Sequence, residues 1–180
     1  MNDTINAISV MERARRVRVA AFDVDGIMTD GRLYYTDSGE EIKAFNAQDG
    51  HGIKMLRDSG VIVAIITSRT SRVVERRAHD LGIEHLYQGV ANKLDTMNDL
   101  LKRLGFDLQA ASYMGDDVID LPVLRRCGLA VSVPEAPAVV RKHAHVVTRA
   151  QGGCGAVREF SEWVMQAQGT LDARLAEYLA

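Results

Sequence analysis

From residue 17 onward the chain alternates short apolar runs with longer stretches whose apolar residues recur at helical spacing. The runs are Val17–Asp23, Val61–Ile66, His85–Gln88, Ala110–Met114, Leu129–Val133 and His145–Thr148. Each has the length of a buried strand. Val61–Ile66 reads Val-Ile-Val-Ala-Ile-Ile, and such β-branched residues fit a pleated sheet. Between the runs, helices are predicted from the polar loop Asn46–Gly52 through Arg57, and over 71–81, 92–104, 118–126 and 137–142. In the third of these, Leu94, Met97, Leu101 and Leu104 line one face. Gly82 and Gly105 are placed as C-terminal stops, and Pro122 in the first turns of its helix. A short helix over Ile5–Arg16 leads the chain, and helices over Ala156–Gln166 and Leu171–Leu179 end it. Alternation this regular implies parallel βαβ units with right-handed crossovers. The expected fold is therefore α/β, a Rossmann-like parallel sheet with helices on both faces.

One insertion interrupts the pattern. Arg32–Tyr35 and Glu41–Phe45 flank Thr36-Asp37-Ser38-Gly39, a hairpin signal. A hairpin placed straight after the first strand overhangs that strand's end. Once these elements are assigned, no stretch is left for a large cap domain. We expect one domain over 1–180, with a hairpin flap at 32–45 and a tail at 150–180, joined through the flexible link Gly152-Gly-Cys-Gly155. A chain of 180 residues can bury a substantial core without staples.

The charges nearly balance, with 22 Lys and Arg against 24 Asp and Glu. A nucleic-acid binder would show a basic excess, so none is expected. Cys127 and Cys154 lack metal-ligand or disulfide spacing, which fits a reducing cytoplasm. No apolar run reaches membrane-spanning length, and the N-terminus lacks a signal-peptide pattern. Neither a membrane nor a nucleic acid is expected as a partner.

The chemistry gathers where strands end, because ligands of open α/β sheets bind outside the carboxyl ends of the strands. The first run ends in Asp23-Val-Asp25-Gly26. A strand has a side-chain period of two, so both carboxylates start on one side. Acids this close repel unless a cation or a shared proton relieves them, and Mg²⁺ is the natural cation. An acidic turn is the plain alternative, and the motif alone leaves the two level. Three further segments join it: Thr67-Ser68 after the second run, Lys93 at the start of a helix, and Gly115-Asp116-Asp117 after the fourth. A carboxylate can attack phosphorus. A second acid can protonate the leaving oxygen and then activate water. Asp116 adds charge to hold Mg²⁺, while Mg²⁺ and Lys93 offset phosphoryl charge. The Thr67 hydroxyl can donate to a phosphate oxygen, and Gly115 lets the backbone come close.

These segments, with Asp120 three beyond Asp117, match in order the four signatures of the haloacid dehalogenase superfamily, which the chain therefore resembles. More narrowly, DVDGIMTDG, a hairpin ending KAFN, DGHGIK, TSR, HLYQG with its lysine, and GGCGAVRE resemble the 3-deoxy-D-manno-octulosonate 8-phosphate phosphatases over nearly the whole chain. The resemblance implies a Mg²⁺-dependent phosphomonoesterase of lipopolysaccharide biosynthesis that releases the free sugar acid through an aspartyl phosphate. It makes Asp23 the nucleophile and Asp25 the acid, then base. Thr67 and Lys93 bind the phosphoryl oxygens. Asp23, Asp116 and the backbone carbonyl of Asp25 hold the metal. Substrate contacts fall on Asp25, Asn46, Ala47, Gln48, Asp49, Gly50, Lys54, Arg69, Arg77 and Lys93. It also implies a homotetramer with hairpins at its centre and tails that reach neighbouring sites. Cys154 departs from the basic residue often found between those glycines, which puts the tail's contact with substrate in question.

Several residues keep two readings. Arg69 and Arg77 lie eight apart, on a similar helical face, and could grip a sugar-acid carboxylate or simply be solvated. Asp117 is a metal ligand through water or a helix N-cap. His51 contacts substrate or is polar surface. Trp163 and Met165 read as core, and Cys127 as a small buried apolar residue. Two rival functions also stand: the same chemistry on another phosphorylated nonulosonate or small sugar, and a non-catalytic phospho-receiver module. Receivers likewise pair acids, a hydroxyl and a lysine, but have no use for Asp25.

Overall fold

The computed structural model describes residues 10–179. Helix α1 is described over 10–15; residues 5–9 of the expected leading helix lie outside the described residues. Strands β1 (Val19–Phe22), β4 (Ile62–Ile66), β5 (His85–Tyr87), β6 (Ala111–Met114), β7 (Leu129–Ser132) and β8 (Val146–Val147) form one sheet. Its order is β5-β4-β1-β6-β7-β8, and every pairing is parallel. Strands β2 (Tyr34–Tyr35) and β3 (Glu41–Ile42) make a separate antiparallel hairpin.

Helices flank the sheet: α2 (Ala47–Asp58), α3 (Arg72–Leu81), α4 (Lys93–Leu104), α5 (Leu121–Leu124), α6 (Ala138–His143), α7 (Ala156–Gln168) and α8 (Leu171–Leu179). The expected α/β fold is present, and among the described residues no large cap stands over the sheet. All four residues of β1 are buried, as a central parallel strand covered on both faces requires. Phe22 of β1 meets Phe160 of α7 edge-on, with ring centroids 5.5 Å apart. Helices α2 and α7 pack together beside it.

The helix ends obey local chemistry. Asn46 and Asn92 cap α2 and α4, each side chain accepting from two backbone N–H groups. Gly82 and Gly105, with φ of 65° and 76°, stop α3 and α4 in the left-handed region.

Three elements differ from the sequence reading. The hairpin strands are only two residues each, because the flap has no layer to pack against. The continuous helix expected over 118–126 is a 3-10 turn, Val118–Asp120, followed by the single turn of α5. Asp120 explains the break: its carboxylate turns back to accept the N–H groups of Asp116 and Asp117, both at 3.0 Å. Finally, Gly152–Gly155 is no free link. The Gly153 N–H donates to the Ile27 carbonyl at 2.9 Å. A Cβ on Gly152 would stand 1.8 Å from the Gly26 oxygen, so only glycine admits this contact.

Candidate active site

The register places the chemistry. Phe22, the last residue of β1, pairs with Ile65 of β4 and Met114 of β6. Asp23, Thr67 and Gly115 thus leave three adjacent strands at one edge. They open onto a cleft of about 250 Å³ lined by Asp23, Asp25, Thr67, Ser68, Arg69 and Asp116, among others.

Asp23 is 5% exposed. Its Oδ1 accepts the Val24 N–H at 2.7 Å, and its Oδ2 lies 2.7 Å from Lys93 Nζ. Lys93, the first residue of α4, is also buried and bonds Asp120 Oδ1 at 2.6 Å. The Tyr113 hydroxyl donates to that same Asp120 oxygen at 2.9 Å. Burial works against the Lys93 charge, but Asp23 and Asp120 outweigh it and raise its pKa. The ammonium therefore stays charged beside the carboxylate it orients.

Carboxylate oxygens of Asp23, Asp116 and Asp120 lie within 4.8 Å of one another. Burial, then the charges of neighbouring acids, push Asp23 up to about 6 and Asp116 up to about 7. Asp120 is spent on Lys93, Tyr113 and two amides, which leaves Asp23 and Asp116 facing each other. Their pairing fits a hard divalent cation. The backbone beside Asp25 closes that space: Gly26 has φ +85°, and a Cβ there would stand 2.1 Å from Asp116 Oδ2. The Asp25 side chain is not part of the acidic group. It points instead to two cations, Lys43 at Oδ1 and Arg69 Nε at Oδ2, the latter at 3.4 Å.

The remaining expected substrate positions lie apart from this cleft in the single chain. Asn46 caps α2. Ala47, Gln48 and Lys54 are exposed on that helix, whereas Asp49 and Gly50 are buried in it. Asp49 accepts the N–H groups of Gly155 (3.2 Å) and Arg158 (2.8 Å), so it anchors the start of α7. Gly50 makes room for Arg77, whose guanidinium lies over Phe45 and donates to the Asn46 carbonyl at 3.0 Å. His51 packs edge-on against Tyr178 of α8, with centroids 5.3 Å apart. Asp117 caps the turn over 118–120, its side chain accepting the Val118 N–H at 2.7 Å. Trp163 is partly buried on the core, and Met165 and Cys127 lie within it.

Sequence reasoning noted Asp120 by position but gave it no task, and passed over Lys43, Glu41 and Tyr113. The spacing of Asp120 from Asp116 was a usable signal. Nothing local marks Lys43.

Known proteins point the same way. A model of haloacid dehalogenase-like hydrolases matches residues 85–159. The 3-deoxy-D-manno-octulosonate 8-phosphate phosphatase KdsC of Escherichia coli strain B is 47% identical over 163 residues, covering 91% of this chain and 87% of that protein. The chain belongs to the 3-deoxy-D-manno-octulosonate 8-phosphate phosphatase family.

Solved members of the family share its structure. The phosphatase of that name from Moraxella catarrhalis, in complex with magnesium, phosphate and the sugar acid KDO, superposes with a TM-score of 0.92 at 43% identity. It covers 94% of this chain and 97% of its own. The enzyme from Yersinia pestis gives a TM-score of 0.89 at 46% identity, covering 91% and 89%. Asp23, Asp25, Thr67 and Asp116 line the cleft here, and Lys93 reaches Asp23 from beside it.

Proposed function

We propose that this protein hydrolyses 3-deoxy-D-manno-octulosonate 8-phosphate to the free sugar acid and phosphate, supplying lipopolysaccharide biosynthesis. One observation carries the reading. Asp23, buried and held by Lys93 at 2.7 Å, lines an open cleft together with Asp25 and Thr67. An ionised, oriented carboxylate in that place is a nucleophile rather than a structural acid.

Lys93 and the Val24 N–H aim one Asp23 oxygen at phosphorus. As the new bond forms, the ester bond breaks and the departing sugar oxygen takes a proton from Asp25. Asp25 then removes a proton from the water that cleaves the aspartyl phosphate. Thr67 donates to a phosphoryl oxygen. Asp23 and Asp116, with the Asp25 backbone, would hold Mg²⁺, which when bound would supply charge neutralisation at the phosphoryl group. Arg69 lines the cleft and fits the sugar-acid carboxylate.

The active unit in this reading is a homotetramer. Leu33, Tyr34, Tyr35 and Ile42 are exposed together on the hairpin, an apolar surface that a second copy would cover. Such an assembly would bring the exposed Ala47, Gln48 and Lys54 to a neighbouring site, with Asn46 and Arg77 beside them, while the buried Asp49 and Gly50 support α2 from within. We place the enzyme in the cytoplasm, a reading supported by two unpaired cysteines. No described helix is long and apolar enough to cross a membrane.

The test is phosphate release by the purified protein across a panel of sugar phosphates, with Mg²⁺ and with EDTA. The octulosonate 8-phosphate is expected to give the highest kcat/KM, and EDTA to abolish turnover. A better substrate elsewhere in the panel would overturn the assignment.

A further inference from the structure

The acid that must deliver a proton is held by nothing in its own loop. Asp23 has the Val24 amide and Lys93, whereas the Asp25 carboxylate meets two cations from distant segments. Arg69 approaches at 3.4 Å, has a side chain 43% exposed, and also donates to Tyr35 and Glu41. Lys43 differs. Its side chain is 2% exposed, it bonds Asp25 Oδ1, and its other partner is Glu41 at 3.2 Å. Glu41 in turn meets Arg69 at 3.1 Å. Asp25, Lys43, Glu41 and Arg69 form a closed ring of alternating charge. Three segments supply it: the loop after β1, the second hairpin strand with the residue after it, and the loop after β4.

A lysine buried this far has given up its water and depends on its carboxylate partners. It is also the stiffer of the two restraints on Asp25, since Arg69 is half in solvent and shared. We propose that Lys43 is a positioning residue for proton transfer: it aims the Asp25 carboxyl at the leaving oxygen, so that the seating of the hairpin governs the acid. This rests on the reading of Asp25 as the acid given above. The step balances. Asp23 bonds to phosphorus, the ester P–O bond breaks with its electron pair on the sugar oxygen, and that oxygen takes the Asp25 proton. Lys43 then holds the resulting carboxylate in place for its turn as base.

A role in clamping the hairpin alone would not depend on the leaving group, and this separates the two. An alkyl phosphate needs the proton, whereas p-nitrophenyl phosphate releases a phenolate that leaves without one. The experiment measures kcat/KM on octulosonate 8-phosphate and on p-nitrophenyl phosphate for wild type, Lys43→Met, Lys43→Arg, Glu41→Gln and Asp25→Asn. Lys43→Met is expected to lose about 30- to 100-fold on the sugar phosphate and no more than about threefold on the aryl ester. Lys43→Arg restores most of the loss, and Glu41→Gln shifts the ratio the same way by less. Equal losses on both substrates, or no loss, would overturn the proposal. Should Lys43→Met fail to fold by circular dichroism, Glu41→Gln carries the same test, and an unchanged ratio there overturns it. Two controls distinguish this from failure of the underlying reading. Absence of wild-type turnover on the octulosonate ester overturns the substrate assignment alone, and the ratio is then read on whichever alkyl phosphate is hydrolysed. Absence of leaving-group discrimination in Asp25→Asn overturns the acid itself, and this proposal with it.

Discussion

At the scale of the residue, the site is a problem in uncompensated charge. Asp23, Asp116 and Asp120 crowd one pocket, and the single ammonium of Lys93 cannot balance all three. Replacing the nucleophile by Asp23→Asn keeps the shape but removes the attacking oxygen. Turnover should fall by about 10⁴-fold or more, with the thermal unfolding midpoint unchanged or raised. Near-normal phosphate release would refute the role. The metal site makes a second prediction through pH. In the metal-free protein, burial and neighbouring acids raise Asp23 to about 6 and Asp116 to about 7, well above the ordinary carboxylate value. A raised acid stabilises the fold below its unfolded pKa and loses that contribution as pH climbs through its folded pKa. The metal-free protein therefore sheds this stability between about pH 4 and 7, the window in which Mg²⁺ must displace protons. Calorimetry in buffers of different ionisation enthalpy should show proton release on Mg²⁺ binding near pH 6 and almost none near pH 8.5. Equal release at both would mean that these two acids are not the ligands.

At the scale of the element, the last long helix is tied to the first turn of α2, the helix that follows the hairpin. Asp49 accepts the N–H groups of Gly155 and Arg158 at the start of α7, and α7 contributes Phe160 and Val164 to the core. Asp49→Ala would leave those partly buried helix-start amides without their partner, at a cost of about 1–3 kcal/mol. Urea denaturation should show the lower midpoint with an unchanged slope. A loss of activity with full stability would instead favour a direct contact between Asp49 and substrate. The 3-10 turn at Val118–Asp120 is a second such element. It spends regular helix geometry to send Asp120 inward to Lys93.

At the scale of the whole molecule, no large cap among the described residues stands over the cleft, and an open site in a single chain would leave electrostatic help weakened by solvent. A neighbouring subunit can supply the missing wall. Light scattering is expected to give a tetramer, and a monomer at micromolar concentration would refute the assembly. Removing the chain from Gly152 onward would be a poor test of the tail, because α7 is part of the core. Truncation after Gly169 is better, since α8 has no fully buried residue. We expect the shortened protein to keep its fold and its p-nitrophenyl phosphatase activity while KM for the sugar phosphate rises. An unchanged KM would show that α8 takes no part in substrate binding.

The sequence by itself determined the sheet, its strand ends and the four motifs that meet there. Each depends on short-range patterns: β-branched runs, helical spacing, glycine stops, and two carboxylates two residues apart. The hand of the βαβ crossovers follows from the twist of the strands, whereas strand order and register are read only from the structure. Only the tertiary structure decided which groups serve the motifs. Lys43 reaches Asp25 across 18 positions, Lys93 reaches Asp120 across 27, and Asp49 meets Gly155 across 106. The glycine-rich segment 152–155 reads as flexible for the same reason. Its composition permits motion, and only the close approach of the Gly26 and Ile27 backbone shows that its glycines serve packing instead. Ion pairs and backbone contacts of this kind have no local period. They are set by where the loops come to rest once the sheet has formed.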